Sequence, residues 1–131
     1  IAKMQAQGSE LKNLRIAMGP AIAGQVYQVS TQVAIEVGRS LSLTAQSDAE
    51  LVAHLQTLAP APLLPDDTPG RLRLDVRQIN ALQLFALGLE PQQIVIAPHC
   101  TYQEPDRFFS YRRSREKKVQ WSGIVSCCDL Q

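Results

Sequence analysis

The apolar residues of this chain follow two rhythms, and the switches between them mark its elements. In Leu14-Arg15-Ile16-Ala17-Met18 the Leu, Ile and Met side chains alternate with their neighbours, which is the period of a strand. Gly19-Pro20 closes this short buried strand. The next stretch, 19–29, is too apolar for a linker and reads as a loop, with glycines at 19 and 24 where unusual backbone angles or close approach are allowed. Helical spacing then appears in Val33, Ala34 and Val37, behind a cap at Ser30 or Thr31 and before Gly38 as the stop.

A second helix is predicted behind Ser47-Asp48-Ala49-Glu50, a capping-box pattern, with Leu51, Val52, Leu55 and Leu58 as its apolar stripe. His54 lies among them as a core-edge or partly exposed residue rather than a ligand. Pro60, Pro62, Pro65 and Pro69, together with Asp66-Asp67 and Gly70, predict a loop free of regular structure. From Arg71 to Leu87 the spacing of Leu72, Val76, Ile79, Leu82 and Phe85 predicts a helix ended by Gly88. Ile94-Val95-Ile96-Ala97 is a compact apolar run suited to a buried strand. Val119 to Ser126, with Trp121, Ile124 and Val125, predicts a final strand. Strands and helices alternate loosely, so the fold class is mixed α/β or α+β, a layered sheet-and-helix domain.

Composition narrows the function classes. With 45% hydrophobic and 19% charged residues the chain is far from the composition of disordered segments. A formal net charge of +1 gives no overall field toward nucleic acid or an anionic membrane, and neither is expected as a partner. Cys100, Cys127 and Cys128 are an odd set with two adjacent, unlike a secreted disulfide framework. No run approaches the roughly 18 apolar residues of a membrane-spanning helix, and no signal pattern opens the chain, so a cytoplasmic location is expected. The chain starts on Ile1, and Ile1 to Gln7 reads as a helix tail stopped by Gly8, the beginning expected of an excised or incomplete domain.

Polar chemistry concentrates in Arg107-Phe108-Phe109-Ser110-Tyr111-Arg112-Arg113-Ser114-Arg115-Glu116-Lys117-Lys118, where six of twelve residues are cationic. If extended, Phe109, Tyr111 and Arg113 face one way and Phe108, Ser110 and Arg112 the other, so one arginine points inward and its neighbour outward. An inward arginine suits a phosphate or carboxylate, because its planar fork makes paired charge-assisted hydrogen bonds. The plain alternative is a solvated basic loop with aromatic anchors. His99 and Cys100, as strand neighbours, point to opposite faces and cannot share one ion there, and Cys100 reads as a buried or site-lining thiol. Asp75, Glu104 and Asp106 are the acidic candidates, but no nucleophile, base and orienting group form a recognisable series.

Taken in order, Gly19-Pro20-Ala21-Ile22 with Val26-Tyr27-Gln28-Val29, then Leu74-Asp75 with Asn80, then Cys100-Thr101-Tyr102 with Phe108-Phe109-Ser110-Tyr111-Arg112-Arg113 resemble the multicopper polyphenol oxidoreductase, or laccase-domain, family over nearly the whole chain. The resemblance implies one α/β domain, of which residues 1–131 form the C-terminal half. It also implies a zinc or copper site built from two histidines and a cysteine in segments upstream, so no residue here is assigned as a metal ligand. The implied activities are phosphorolysis of purine nucleosides, including methylthioadenosine, and adenosine deamination, with laccase-like phenol oxidation as an older assignment. Purine nucleoside and phosphate are the implied ligands. Ser110, Arg112, Arg113 and Cys100 are the residues expected to line the substrate, and no catalytic residue is assigned.

Where many relatives have a Thr-Gly-Arg-like turn after the double arginine, this chain reads Glu116-Lys117-Lys118-Val119-Gln120-Trp121-Ser122-Gly123. The Cys127-Cys128-Asp129-Leu130-Gln131 tail has no counterpart in the family pattern. By itself the chain is expected to be inactive, and a half-sheet would leave strand edges and apolar surface open to self-association. The competing expectation is a non-catalytic folding or interaction module.

Overall fold

The computed structural model describes residues 1–41, 43–44 and 47–125. A short helix α1 (Ala2–Ala6) ends before Gly8, whose φ of +95° suits a residue without a side chain. A 3-10 turn at Leu11–Asn13 then leads into strand β1 (Ile16–Met18). Its partner is β5 (Ile94–Ile96), which runs parallel to it in the register Ile16↔Ile94 and Met18↔Ile96. Buried Gln93 fixes the start of this pairing by donating its Nε2 to the carbonyls of Leu11, at 2.8 Å, and Leu14, at 2.9 Å.

The second sheet has the order β2-β4-β3 and is antiparallel throughout: β2 (Gln28–Ser30) and β3 (Leu63–Pro65) flank β4 (Arg71–Leu74). Helices α2 (Thr31–Arg39) and α3 (Asp48–Thr57) pack beside it. Val29, Ala34, Leu51, Leu55, Leu63 and Leu74 meet in the resulting core. Both helices begin as expected, with Ser30 Oγ accepting the Val33 N–H and Ser47 Oγ accepting the Glu50 N–H. Two details of α2 differ from expectation. Ile35 is buried while Val33 is exposed, and Gly38 lies inside the helix, against α3, where a β-carbon would come within 2.7 Å of Leu55 Cδ1.

The region expected to be a single helix from Arg71 divides. Arg71–Leu74 is strand β4 and helix α4 covers Val76–Ala86, separated by Asp75, whose carboxylate accepts the N–H groups of Arg77 and Gln78. Leu72 fits a period of two with Leu74 as well as helical spacing with Val76, and strands on both sides of β4 settle the choice. The proline-rich loop likewise contains β3, because Leu63 is fully buried and pairs with Leu74. The final strand expected from Val119 does not form over 119–125, where Val119, Trp121, Ile124 and Val125 are exposed. Ser126 and the Cys127-Cys128 tail lie outside the described residues. No helix among the described residues is long and apolar enough to cross a membrane.

Candidate functional site

The chain leaving the carboxyl end of β5 forms a polar assembly, parts of which are tied to distant segments. Arg77, at the start of α4, reaches the Ala97 carbonyl at 3.3 Å while pairing with Asp75 at 3.4 Å. This joins the first turn of α4 to the end of the parallel ladder. Beyond Pro98 the ladder resumes for one step as a parallel bridge between Ala21 and Cys100, with the Thr101 N–H donating to the Ala21 carbonyl at 3.1 Å. The buried Cys100 sulfur accepts the Ala23 N–H at 3.2 Å. The expected site-lining thiol is therefore a hydrogen-bond acceptor that holds the glycine-containing loop against the end of β5.

Glu104 organises the turn after Cys100. Its Oε1 accepts the Cys100 N–H at 2.8 Å, His99 Nδ1 lies 3.0 Å from Oε2, and Arg107 lies 3.5 Å away. The Cys100 N–H, and after it the His99 ring and Arg107, hold the Glu104 carboxyl below its usual range. The ring of His99 also rests against Phe108, with centroids 5.7 Å apart.

The double arginine separates in direction, by a geometry different from the expected extended alternation. Tyr111–Ser114 form a single helical turn, α5, closed by Arg115 in the left-handed region at φ +61°. Ser110 is buried in front of it, while Phe109 and Tyr111 are exposed. Arg113 is half-buried and gives Nη1 to the carbonyls of Thr101 and Tyr102, both at 2.7 Å, and Nη2 to that of Phe108 at 2.6 Å. Arg112 is exposed, gives Nη1 to the Gln28 carbonyl at 2.9 Å, and lies over the Tyr27 ring at 4.8 Å from its centroid. Arg115 and Lys118 stand over Tyr111 and Phe109 in the same manner. Of the four residues expected to line a substrate, Cys100, Ser110 and Arg113 therefore belong to one internally bonded loop, and Arg112 sits at its outer edge on β2.

Sequence reasoning passed over the support beneath Arg112. Gln28, whose carbonyl holds Arg112, donates its side-chain amide to Asp66 at 3.0 Å and to Thr68 at 3.3 Å. Asp66 also accepts the Thr68 N–H at 2.8 Å and Arg73 Nε at 2.9 Å, with its side chain only 4% exposed. Those donors, led by the Thr68 N–H and then Arg73, hold its carboxyl far below the ordinary range. The signal for this turn was present in Asp66-Asp67-Thr68-Pro69-Gly70, since an aspartate commonly accepts the N–H two residues on. The contact with Gln28 crosses 38 residues and has no such signature.

Among the described residues no three His, Cys, Asp or Glu side chains converge to hold a metal ion. Cys100 is occupied by the Ala23 N–H and Glu104 by the Cys100 N–H and His99. The described side chains thus do not fit a metal centre.

Residues 1–126 match the profile of the family described as multi-copper polyphenol oxidoreductase laccase. A purine nucleoside phosphorylase of Synechocystis sp. is 55% identical over 128 residues, an alignment that takes in 96% of this chain and 48% of the relative. The chain thus spans about half the length of that relative. Among solved structures, the hypothetical protein YfiH of Bacillus licheniformis superimposes with a TM-score of 0.64 at 28% identity, over 86% of this chain and 36% of that one. YlmD of Geobacillus stearothermophilus gives a TM-score of 0.56 at 33% identity, over 76% of this chain and 31% of that one.

Proposed function

The chain belongs to the multi-copper polyphenol oxidoreductase laccase family, and we propose that it forms the C-terminal portion of a single-domain purine nucleoside phosphorylase. The near-complete alignment with the Synechocystis enzyme carries this reading. The open face of the β1–β5 ladder supports the idea of a portion: Ala17 and Val95 lie opposite each other in register and both are exposed. Parallel ladders ordinarily have both faces covered.

In this reading the chain supplies phosphate-facing and loop-positioning groups for phosphorolysis of a purine nucleoside. Arg112 is the phosphate-facing cation, backed by Tyr27 and anchored by the Gln28 carbonyl. A guanidinium held in this way can give its remaining N–H groups to an oxyanion without first being ordered. Arg113 has already given N–H groups to three carbonyls, so its role is to position the loop that carries Cys100 and Ser110 along the substrate.

The test is phosphate-dependent release of hypoxanthine from inosine, by this chain and by a polypeptide extended upstream to the length of the Synechocystis relative. The extended polypeptide should release hypoxanthine only when phosphate is present, and the shorter one should not. Release by neither would overturn the phosphorylase reading, and release by the shorter one would overturn the claim that it is only a portion.

A further inference from the structure

His99 has no role in the reading above, yet its surroundings are those of a proton-transfer group. One ring nitrogen, Nδ1, is held 3.0 and 3.2 Å from the two carboxylate oxygens of Glu104. That carboxylate is itself fixed by the Cys100 N–H and backed by Arg107. Phe108 covers one side of the ring. Among the described residues, Glu104 is the charged group that touches the ring, and Arg107 reaches it through Glu104. The second ring nitrogen, Nε2, has no hydrogen-bond partner among the described residues, and the side chain is 39% exposed. A half-exposed ion pair of this kind adds little stability, and Glu104 already has the Cys100 N–H to satisfy it. The ring also stands just past the carboxyl end of a parallel strand, where open parallel sheets present groups to ligands. It adjoins Cys100 and touches Phe108, two residues before Ser110, and so belongs to the loop that carries the candidate substrate residues.

We propose that His99, oriented by Glu104, is the general acid that protonates the purine as it leaves, an assignment that rests on the phosphorylase reading. In the step, a phosphate oxygen forms a bond to C1′ of the ribose and the C1′–N9 bond breaks, its electron pair passing into the purine. The imidazolium gives its Nε2 proton to N7. The products are ribose 1-phosphate and the neutral purine, and His99 is left neutral with its Nδ1–H still donating to Glu104. It then regains a proton from water. Imidazole suits the task because it exchanges protons near neutral pH, and a carboxylate on Nδ1 fixes which nitrogen faces the substrate.

The experiment compares inosine with 7-methylinosine, whose purine is already cationic and leaves without a proton, in whichever of the two polypeptides turns over nucleoside with orthophosphate. His99→Gln should lower kcat on inosine by about 100-fold or more and change 7-methylinosine by no more than about twofold, the contrast expected of a lost general acid. The unsubstituted protein should turn over inosine more slowly in D2O than in water, with no such difference on 7-methylinosine, because only the first needs a proton in transfer. That second comparison needs no variant and stands even if His99→Gln fails to fold. Equal solvent isotope effects on the two nucleosides, or equal losses in a folded variant, would overturn the assignment alone. Failure of the unsubstituted protein on both nucleosides would overturn the phosphorylase reading and this assignment with it.

Discussion

Arg113 Nη1 lies 2.7 Å from the carbonyl oxygen of Thr101, twelve residues earlier in the chain. The same guanidinium holds the carbonyls of Tyr102 and Phe108, so one side chain staples both ends of the turn that contains Glu104. Lysine keeps the charge but not the planar fork that reaches three acceptors. Arg113→Lys should therefore lower stability by about 2 kcal/mol, the scale of hydrogen bonds made by a charged group. Urea unfolding measures this directly. The Arg107 and Phe108 amides, both bonded to the Glu104 carbonyl, should exchange with solvent faster in the variant, and unchanged exchange would show that the staple is unnecessary.

Arg112 should behave in the opposite way. It is exposed and joined to the fold by one carbonyl and one ring face, so Arg112→Ala should leave the unfolding midpoint nearly unchanged. In the active polypeptide it should raise the KM for phosphate by roughly 10- to 100-fold, the loss expected when a charge-assisted hydrogen bond to substrate is removed. An unchanged KM for phosphate would remove Arg112 from the anion site.

Asp66 ties the stability of the three-stranded sheet to pH. Its folded carboxyl titrates well below the ordinary value of 3.8, held there chiefly by the Thr68 N–H and Arg73. As pH falls past that ordinary value, the unfolded chain takes up the proton while the folded chain does not, so unfolding becomes favoured. The contribution is fully present above about pH 5 and fades as acid increases toward the folded value. Asp66→Asn should be less stable than the parent at pH 7, and its thermal midpoint should fall less steeply with acid. Parallel curves for the two proteins between neutral pH and strong acid would contradict this.

Gly24 brings the glycine-containing loop close against Asp75, the cap of α4. A β-carbon there would lie 2.8 Å from Asp75 Cβ and 3.2 Å from the Asp75 backbone nitrogen. Asp75 cannot withdraw, because its N–H donates to the Pro62 carbonyl at 2.8 Å and its carboxylate caps α4. Gly24→Ala should cost about 1–3 kcal/mol through overpacking, seen as a lower midpoint in thermal unfolding. Gly70→Ala should also destabilise, for a different reason, since its φ of +73° disfavours a side chain while the space around it is open.

The local elements were legible wherever neighbouring residues carry both the pattern and its boundary. Ser47, and Ser30 or Thr31, were recognisable as caps because such a hydroxyl can accept an N–H of the first turn, which Ser30 and Ser47 do; β1 was recognisable from its alternation and β5 as a short apolar run. The residues at Arg71–Leu74 were misread because a four-residue alternation is also part of a helical repeat, and only β2 and β3 alongside make it a strand. Val119–Val125 has strand-like residues, but no strand partner forms among the described residues, and a strand needs another to satisfy its backbone.

The motif order in the sequence, from Gly19-Pro20 to Phe108-Phe109-Ser110-Tyr111-Arg112-Arg113, was enough to identify the family, because residue types and spacings are properties of the chain itself. The division of labour inside that motif was not in the sequence. Arg112 and Arg113 are chemically identical neighbours, and what separates them is which carbonyls lie within about 3 Å of each guanidinium. Those carbonyls come from Gln28 on β2 for one and from Thr101, Tyr102 and Phe108 for the other. The same is true of Cys100, whose partner Ala23 is 77 residues away, and of His99, whose freedom at Nε2 depends on what the fold leaves beside it. Local patterns report the backbone's own preferences, whereas contacts across tens of residues exist only once the chain has closed on itself.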